Sequence, residues 1–151
     1  MISGYSLEQL LPHDHPMILL SRFIGADENS VYTEVDISSG SPFYQAELQA
    51  VPAYVGLEYM AQTIACYAGA KALAEGGAVK IGFLLGCRKY APTISHFAAG
   101  TVLQLKAEQL VTEDSGLSVF LCEISANGTV LVQANLNVFQ PENHLDWLKE
   151  S

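Results

Sequence analysis

Positive charge is scarce in this chain. Seven Lys and Arg stand against sixteen Asp and Glu, a net charge of −9. That balance argues against a nucleic-acid partner, which needs a basic footprint, and against an anionic membrane surface. Cysteine is scarce as well. Cys66, Cys87 and Cys122 are odd in number, lack C-x-x-C spacing and sit in apolar segments, as expected of reduced, buried thiols in a cytoplasmic protein. The N-terminal MISGYSLEQL has neither a basic region nor an apolar core, so no secretory signal is expected. There is no repeat, low-complexity tract or linker, so residues 1–151 read as one domain. No His/Cys/Asp cluster has metal spacing and no Gly-rich phosphate loop is present, so neither metal nor cofactor is expected.

Hydrophobic residues are plentiful, at half the chain. Ser6-Leu-Glu-Gln9 has capping-box spacing and opens a short helix over about residues 6–11. Pro12-His-Asp-His-Pro16 is a rigid connector. Met17 to Ile24 is an apolar run of strand length, and Val31, Thr33, Val35 and Ile37 alternate with polar neighbours in a half-buried strand. Residues 38–50 show no period. Four further strands are expected at about 79–90, 101–112, 117–126 and 129–139, with hairpin turns at Asp114-Ser-Gly116 and Asn127-Gly128. The tail around His144-Leu-Asp-Trp-Leu suggests a short terminal helix.

Between the two sets of strands lies Val51-Pro-Ala-Tyr-Val-Gly-Leu-Glu-Tyr-Met-Ala-Gln62. Pro52 suits the first turn of a helix, whose N–H groups have no intrahelical partner. The helix runs to Glu75-Gly-Gly77 and is apolar almost all round. Glu58, Gln62 and Lys71 interrupt it and argue against a membrane span. Such a helix must be surrounded. A curved antiparallel sheet wrapped round one central helix does this: the α+β hotdog fold, with apolar edges that invite a dimer or higher assembly. Glu58, set into an apolar surface, is expected to titrate, pair or do chemistry, and Gln62 lies one turn on, within reach.

Three segments resemble the 3-hydroxyacyl-acyl-carrier-protein dehydratases of fatty acid synthesis. Leu11-Pro-His-Asp-His-Pro-Met-Ile-Leu-Leu-Ser-Arg22 is similar to their N-terminal Leu-Pro-His-x-x-Pro motif. Pro52 to Glu58, with Gln62, is similar to their central-helix motif. Gly82 to Gly86, Lys89 and Phe97 to Gly100 resemble the strand and loop that follow. The combination most resembles the dehydratase-like hotdog proteins of aryl-polyene pigment clusters. The resemblance implies dehydration of a carrier-bound 3-hydroxyacyl thioester to the 2-enoyl thioester. It also implies an acyl carrier protein with a phosphopantetheine-linked chain as partner, and assembly as a homodimer or with a related hotdog protein.

Two departures stand out. The family's loop before the central helix carries the catalytic histidine, whereas here residues 42–52 contain none; and Ser21 replaces an Asp in the N-terminal motif. Dehydration needs a base, an acid and a donor to the developing enolate oxygen. The resemblance assigns the acid to Glu58, its orientation to Gln62 and the backbone donor to Ala53. His13 is the candidate base and His15 its rival; His96 reads as a surface or packing histidine. Tyr44 and Glu47 are candidates to face the pocket from the shortened loop. Lys71, Lys80, Arg88 and Lys89 are four of the seven basic residues and could form a local patch for an acidic carrier. Competing readings are a non-catalytic subunit partnering an active paralogue, a hotdog thioesterase in which the helix carboxylate activates water, and a small-molecule binding module.

Overall fold

Six strands and one long helix carry the architecture. The computed structural model describes residues 1–11, 17–77 and 83–140. In chain order these form α1 (Leu7–Leu10), β1 (Arg22–Ala26), β2 (Ser30–Asp36), β3 (Ala50–Pro52), a 3-10 turn (Ala53–Val55), α2 (Gly56–Ala74), β4 (Phe83–Pro92), β5 (His96–Ala98), β6 (Val102–Thr112), β7 (Leu117–Ala126) and β8 (Thr129–Phe139). The expected terminal helix around His144 lies outside the described residues.

The main sheet has the order β1-β2-β6-β7-β8-β4. All five of its pairings are antiparallel. Period-2 patterning gives it one apolar face: Val31 and Val35 of β2, Leu103 and Leu105 of β6, Phe120, Cys122 and Ile124 of β7, and Val132 and Leu136 of β8 are all buried. That face wraps α2, which packs against β1, β2, β6 and β7. The hotdog arrangement expected from the sequence is the one observed.

Local chemistry explains most boundaries. Ser6 caps α1 through a full capping box with Gln9. Asn127 and Gly128 both take positive φ, 51° and 80°, the two-residue turn that matches strand twist between β7 and β8. Thr33 and Thr63, both buried, share a 2.8 Å hydrogen bond between their hydroxyls, and Thr63 donates to the Tyr59 carbonyl, so no hydroxyl of this pair is stranded in the core.

Two elements differ from the sequence expectation. The apolar run from Met17 is not a strand until Arg22, because the backbone of Met17 and Leu19 bonds to the Gln62 side chain rather than to a neighbouring strand. The aperiodic loop ends in β3, which pairs with β5 to form a second, two-stranded sheet directly before the helix. Both strands have three residues, too few to show a period.

At the other end of α2, α1 lies against Gly69. A Cβ there would collide with the Leu10 backbone, including its Cα at 3.2 Å. Gly69→Ala is therefore expected to lower unfolding free energy by about 1–3 kcal/mol, measured by urea denaturation. Ala at position 65, on the groove face of α2, provides the control, since Ala65→Gly should cost only about 1 kcal/mol.

Candidate active site

The first two turns of α2 hold the chemistry-bearing residues, and Gln62 organises them. Its side chain is 1% exposed. Oε1 accepts from the Leu19 N–H at 2.9 Å. Nε2 donates to the Met17 carbonyl at 2.8 Å and to Glu58 Oε1 at 3.3 Å. One buried amide thus holds the helix carboxylate and grips the backbone on the exit side of the Pro12–Pro16 connector. The entry side is anchored by Leu10 and Leu11, both buried. His13 and His15 lie in that connector, outside the described residues; what is described is that both ends of it are fixed on α2.

Glu58 departs from the expected buried acid. It is exposed, while Tyr59 and Met60 beside it are buried. The reason is the direction of its strip of helix. Glu58, Ala61, Ala65, Ala68 and Ala72, three or four residues apart, form one strip of α2 that lines a groove between the helix and its sheet, with a cavity of about 420 Å³. The groove runs from Glu58 to Glu75. Gln109 of β6 and Ser118 and Phe120 of β7 also line it. Lys71 lines the same groove, its Nζ 5.4 Å from the centroid of the Tyr67 ring.

The Ala53 N–H, expected as the oxyanion donor, is already engaged. It donates to the Ser95 carbonyl at 3.0 Å, extending the β3–β5 pairing by one residue. Tyr44 is not brought to the groove either; it packs half-buried on the edge of the core. His96 sits on β5 directly opposite Pro52, at the entrance to the helix, with Nδ1 2.7 Å from Ser95 Oγ. Arg88 and Lys89 are adjacent and both exposed on β4, while Lys80 lies outside the described residues.

Sequence reasoning missed Tyr90. Its hydroxyl donates to the Ala53 carbonyl. Burial pushes the phenol up to about 12, so it keeps its proton across the working range. The only sequence signal was two cations in a row, Arg88 and Lys89, breaking the alternation of β4 just before it.

Comparison with known proteins fits this geometry. The ApeP-like dehydratase family matches residues 5–149. The chain belongs to that family. A curated relative, the 3-hydroxyacyl-[acyl-carrier-protein] dehydratase FabZ of Ruminiclostridium cellulolyticum, is 26% identical over 140 residues, covering 90% of this chain and 95% of the relative. A chain of the dehydratase heterocomplex ApeI:P from Xenorhabdus doucetiae superposes with a TM-score of 0.88 at 31% identity, over 99% of this chain and 100% of that one. The resemblance to aryl-polyene-type dehydratases is thereby borne out, and the chain is a dehydratase, a lyase by class. A hypothetical thioesterase from Streptococcus pneumoniae with coenzyme A reaches 0.62 at 11% identity, covering 79% of this chain and 86% of that one, and shares the fold alone. Among the described residues no helix is long and apolar enough to cross a membrane, and no group of three or more His, Cys, Asp and Glu could hold a metal.

Removing the Gln62 amide takes the partner from the Leu19 N–H and the Met17 carbonyl and leaves a gap in the buried face of α2. Gln62→Ala is expected to cost about 2–5 kcal/mol, combining truncation with unpaired polar groups. Amide exchange at Leu19 should accelerate in the same variant. Unchanged exchange there would show that the amide does not hold the connector.

Proposed function

We propose that this chain dehydrates a carrier-bound 3-hydroxyacyl thioester, with Glu58 as the acid that protonates the departing 3-hydroxyl. The observation that carries the reading is the Gln62 amide, which holds the Glu58 carboxylate while fixing the backbone that leaves the His13–His15 connector. His13 takes the proton next to the thioester carbonyl. The electron pair of that C–H bond becomes the new C2–C3 double bond, the C3–O bond breaks, and the hydroxyl leaves as water with the Glu58 proton. Ala53 being engaged, the oxyanion role passes to first-turn amides beyond it, at the positive end of the helix.

A second chain completes the site in this reading. Glu58, exposed at one end of the groove, would be shielded from water by a related hotdog protein laid over it. The chain of similar structure comes from a heterocomplex. The absence of a histidine from residues 42–52 favours such a mixed assembly, in which a partner imidazole could replace His13. Arg88 and Lys89 offer an acidic acyl carrier its docking charge. We place the reaction in the cytoplasm, where the three free thiols remain reduced.

The test is direct. The purified chain, alone and mixed with a related hotdog dehydratase, is given a 3-hydroxyacyl thioester, and enoyl formation is followed. Glu58→Gln should lower the rate by about 100-fold or more while leaving thermal stability nearly unchanged, because Glu58 is exposed. His13→Ala should do the same if the chain supplies its own base; an unaltered rate would assign the base to the partner. Release of free acid instead of enoyl thioester would overturn the reading in favour of a thioesterase. Reversing Arg88 and Lys89 to Glu should weaken carrier binding about tenfold at low salt, an effect that fades as salt is raised.

A further inference from the structure

The N-terminus of α2 does not close as an ordinary helix. In an α-helix the Ala53 carbonyl would accept from the Leu57 N–H. Here the Tyr90 hydroxyl donates to the Ala53 carbonyl, and the Leu57 backbone acts on the same phenol, holding its pKa down against burial. The phenol thus occupies the carbonyl that the Leu57 N–H would take in a regular helix. The chain accordingly runs as a 3-10 turn over Ala53–Val55, with Gly56 N–H on the Ala53 carbonyl, and becomes α-helical only at Gly56.

Two independent features of the sequence make room for this insertion. Gly56 has φ −56°, a value any residue adopts, so its lack of a side chain is not a conformational need. It is steric: a Cβ at 56 would strike the Tyr90 hydroxyl and lie 2.9 Å from Ile124 Cδ1 and 3.2 Å from Phe97 Cζ. On the opposite side, β4 is bulged where Tyr90 leaves it. Arg88 pairs with Asn135 and Ala91 with Gln133, so three steps on β4 face two on β8. Lys89 takes φ +56° there, an unfavourable value for a lysine. Arg88 and Lys89 both point outward as a result, and Tyr90 turns in. Bulges next to functional sites commonly re-aim one side chain in this way.

We infer that Tyr90 is a positioning residue for Glu58: its hydroxyl, threaded into the first turn of α2, fixes the direction in which the helix presents that carboxylate. Glu58 is the third residue of α2, one position beyond Leu57, whose helical partner would be the Ala53 carbonyl that Tyr90 takes. Removing the hydroxyl lets Ala53 and Leu57 bond directly, which winds the 3-10 turn into the helix and rotates Glu58 relative to the Met17 and Leu19 backbone held by Gln62. The inference rests on Glu58 being the acid, and its test separates the two ideas.

Tyr90→Phe keeps the ring and removes only the hydroxyl. In the substrate-free protein, Leu57 amide exchange should change by about fivefold or more while amides late in α2 are unaffected; this readout does not involve activity. In the assembly that dehydrates the thioester, kcat should fall by about tenfold or more, as for a misplaced catalytic group, with KM within about twofold. Replacing Tyr90 with p-amino-phenylalanine, which restores a donor at the same place, should recover most of kcat. An unchanged Leu57 exchange rate overturns the insertion. A changed exchange rate with wild-type kcat, or no recovery by p-amino-phenylalanine, overturns the positioning role. If instead Glu58→Gln retains full activity, the acid assignment fails and the positioning role fails with it, while the exchange result on the insertion stands.

Discussion

Everything at this site depends on one buried amide. Gln62 is the only residue whose side chain joins the Glu58 carboxylate to the segment leaving the N-terminal connector, among the described residues. An amide suits the task because it offers both acceptor and donors in one plane. Two of its bonds go to backbone groups outside any strand or helix, and the amide itself is buried, so the geometry is costly to abandon. A carboxylate at 62 could accept from Leu19 but could not donate to Met17 or Glu58. A leucine could fill the volume but satisfy neither. The helix is thereby coupled to a stretch of chain more than forty residues away, and Glu58 inherits a fixed neighbour despite its exposure.

The second constraint is how α2 begins. Pro52 ends β3 and precedes the 3-10 turn, the Ala53 amide continues the β3–β5 pairing to Ser95, and Tyr90 occupies the following carbonyl. Both backbone groups of Ala53 are thus taken, the N–H by the small sheet and the carbonyl by β4. In the proposed mechanism the donors to the developing oxyanion lie further along the turn. A shortened loop and a displaced donor set belong together: both reshape the entrance to the site relative to the family's pattern in which a loop histidine and a glycine stand at this end.

Much of this was legible in the sequence, for identifiable reasons. Alternation in β2, β6, β7 and β8 faces a real two-sided environment, so period 2 read correctly, and Asn127-Gly128 needs the left-handed conformations that only such residues adopt readily. Gln62 could be paired with Glu58 because helical spacing is local. What escaped was non-local. Nothing near Met17 says that its backbone bonds to a side chain on a helix, so the apolar run read as a strand. Nothing near Ala53 announces Ser95, and nothing in Tyr90 alone announces Ala53. Glu58 was read as buried because the helix is apolar all round, yet a helix in one chain has only one sheet to cover it.

That last discrepancy is informative about assembly. An amphipathic helix would have placed polar residues on its open strip; α2 places Ala61, Ala65, Ala68 and Ala72 there, between Glu58 and Glu75. Small apolar side chains leave the helix backbone close to whatever lies over it, which suits a thin apolar occupant or a closely packed second chain. Polar groups mark only the ends of the strip. In the proposed assembly the same surface serves as wall of a substrate groove and as seat of a partner, with the groove enclosed only when the partner is present. Glu58 would then be desolvated by assembly rather than by folding, so that its chemistry would switch on with the complex and not with the isolated chain.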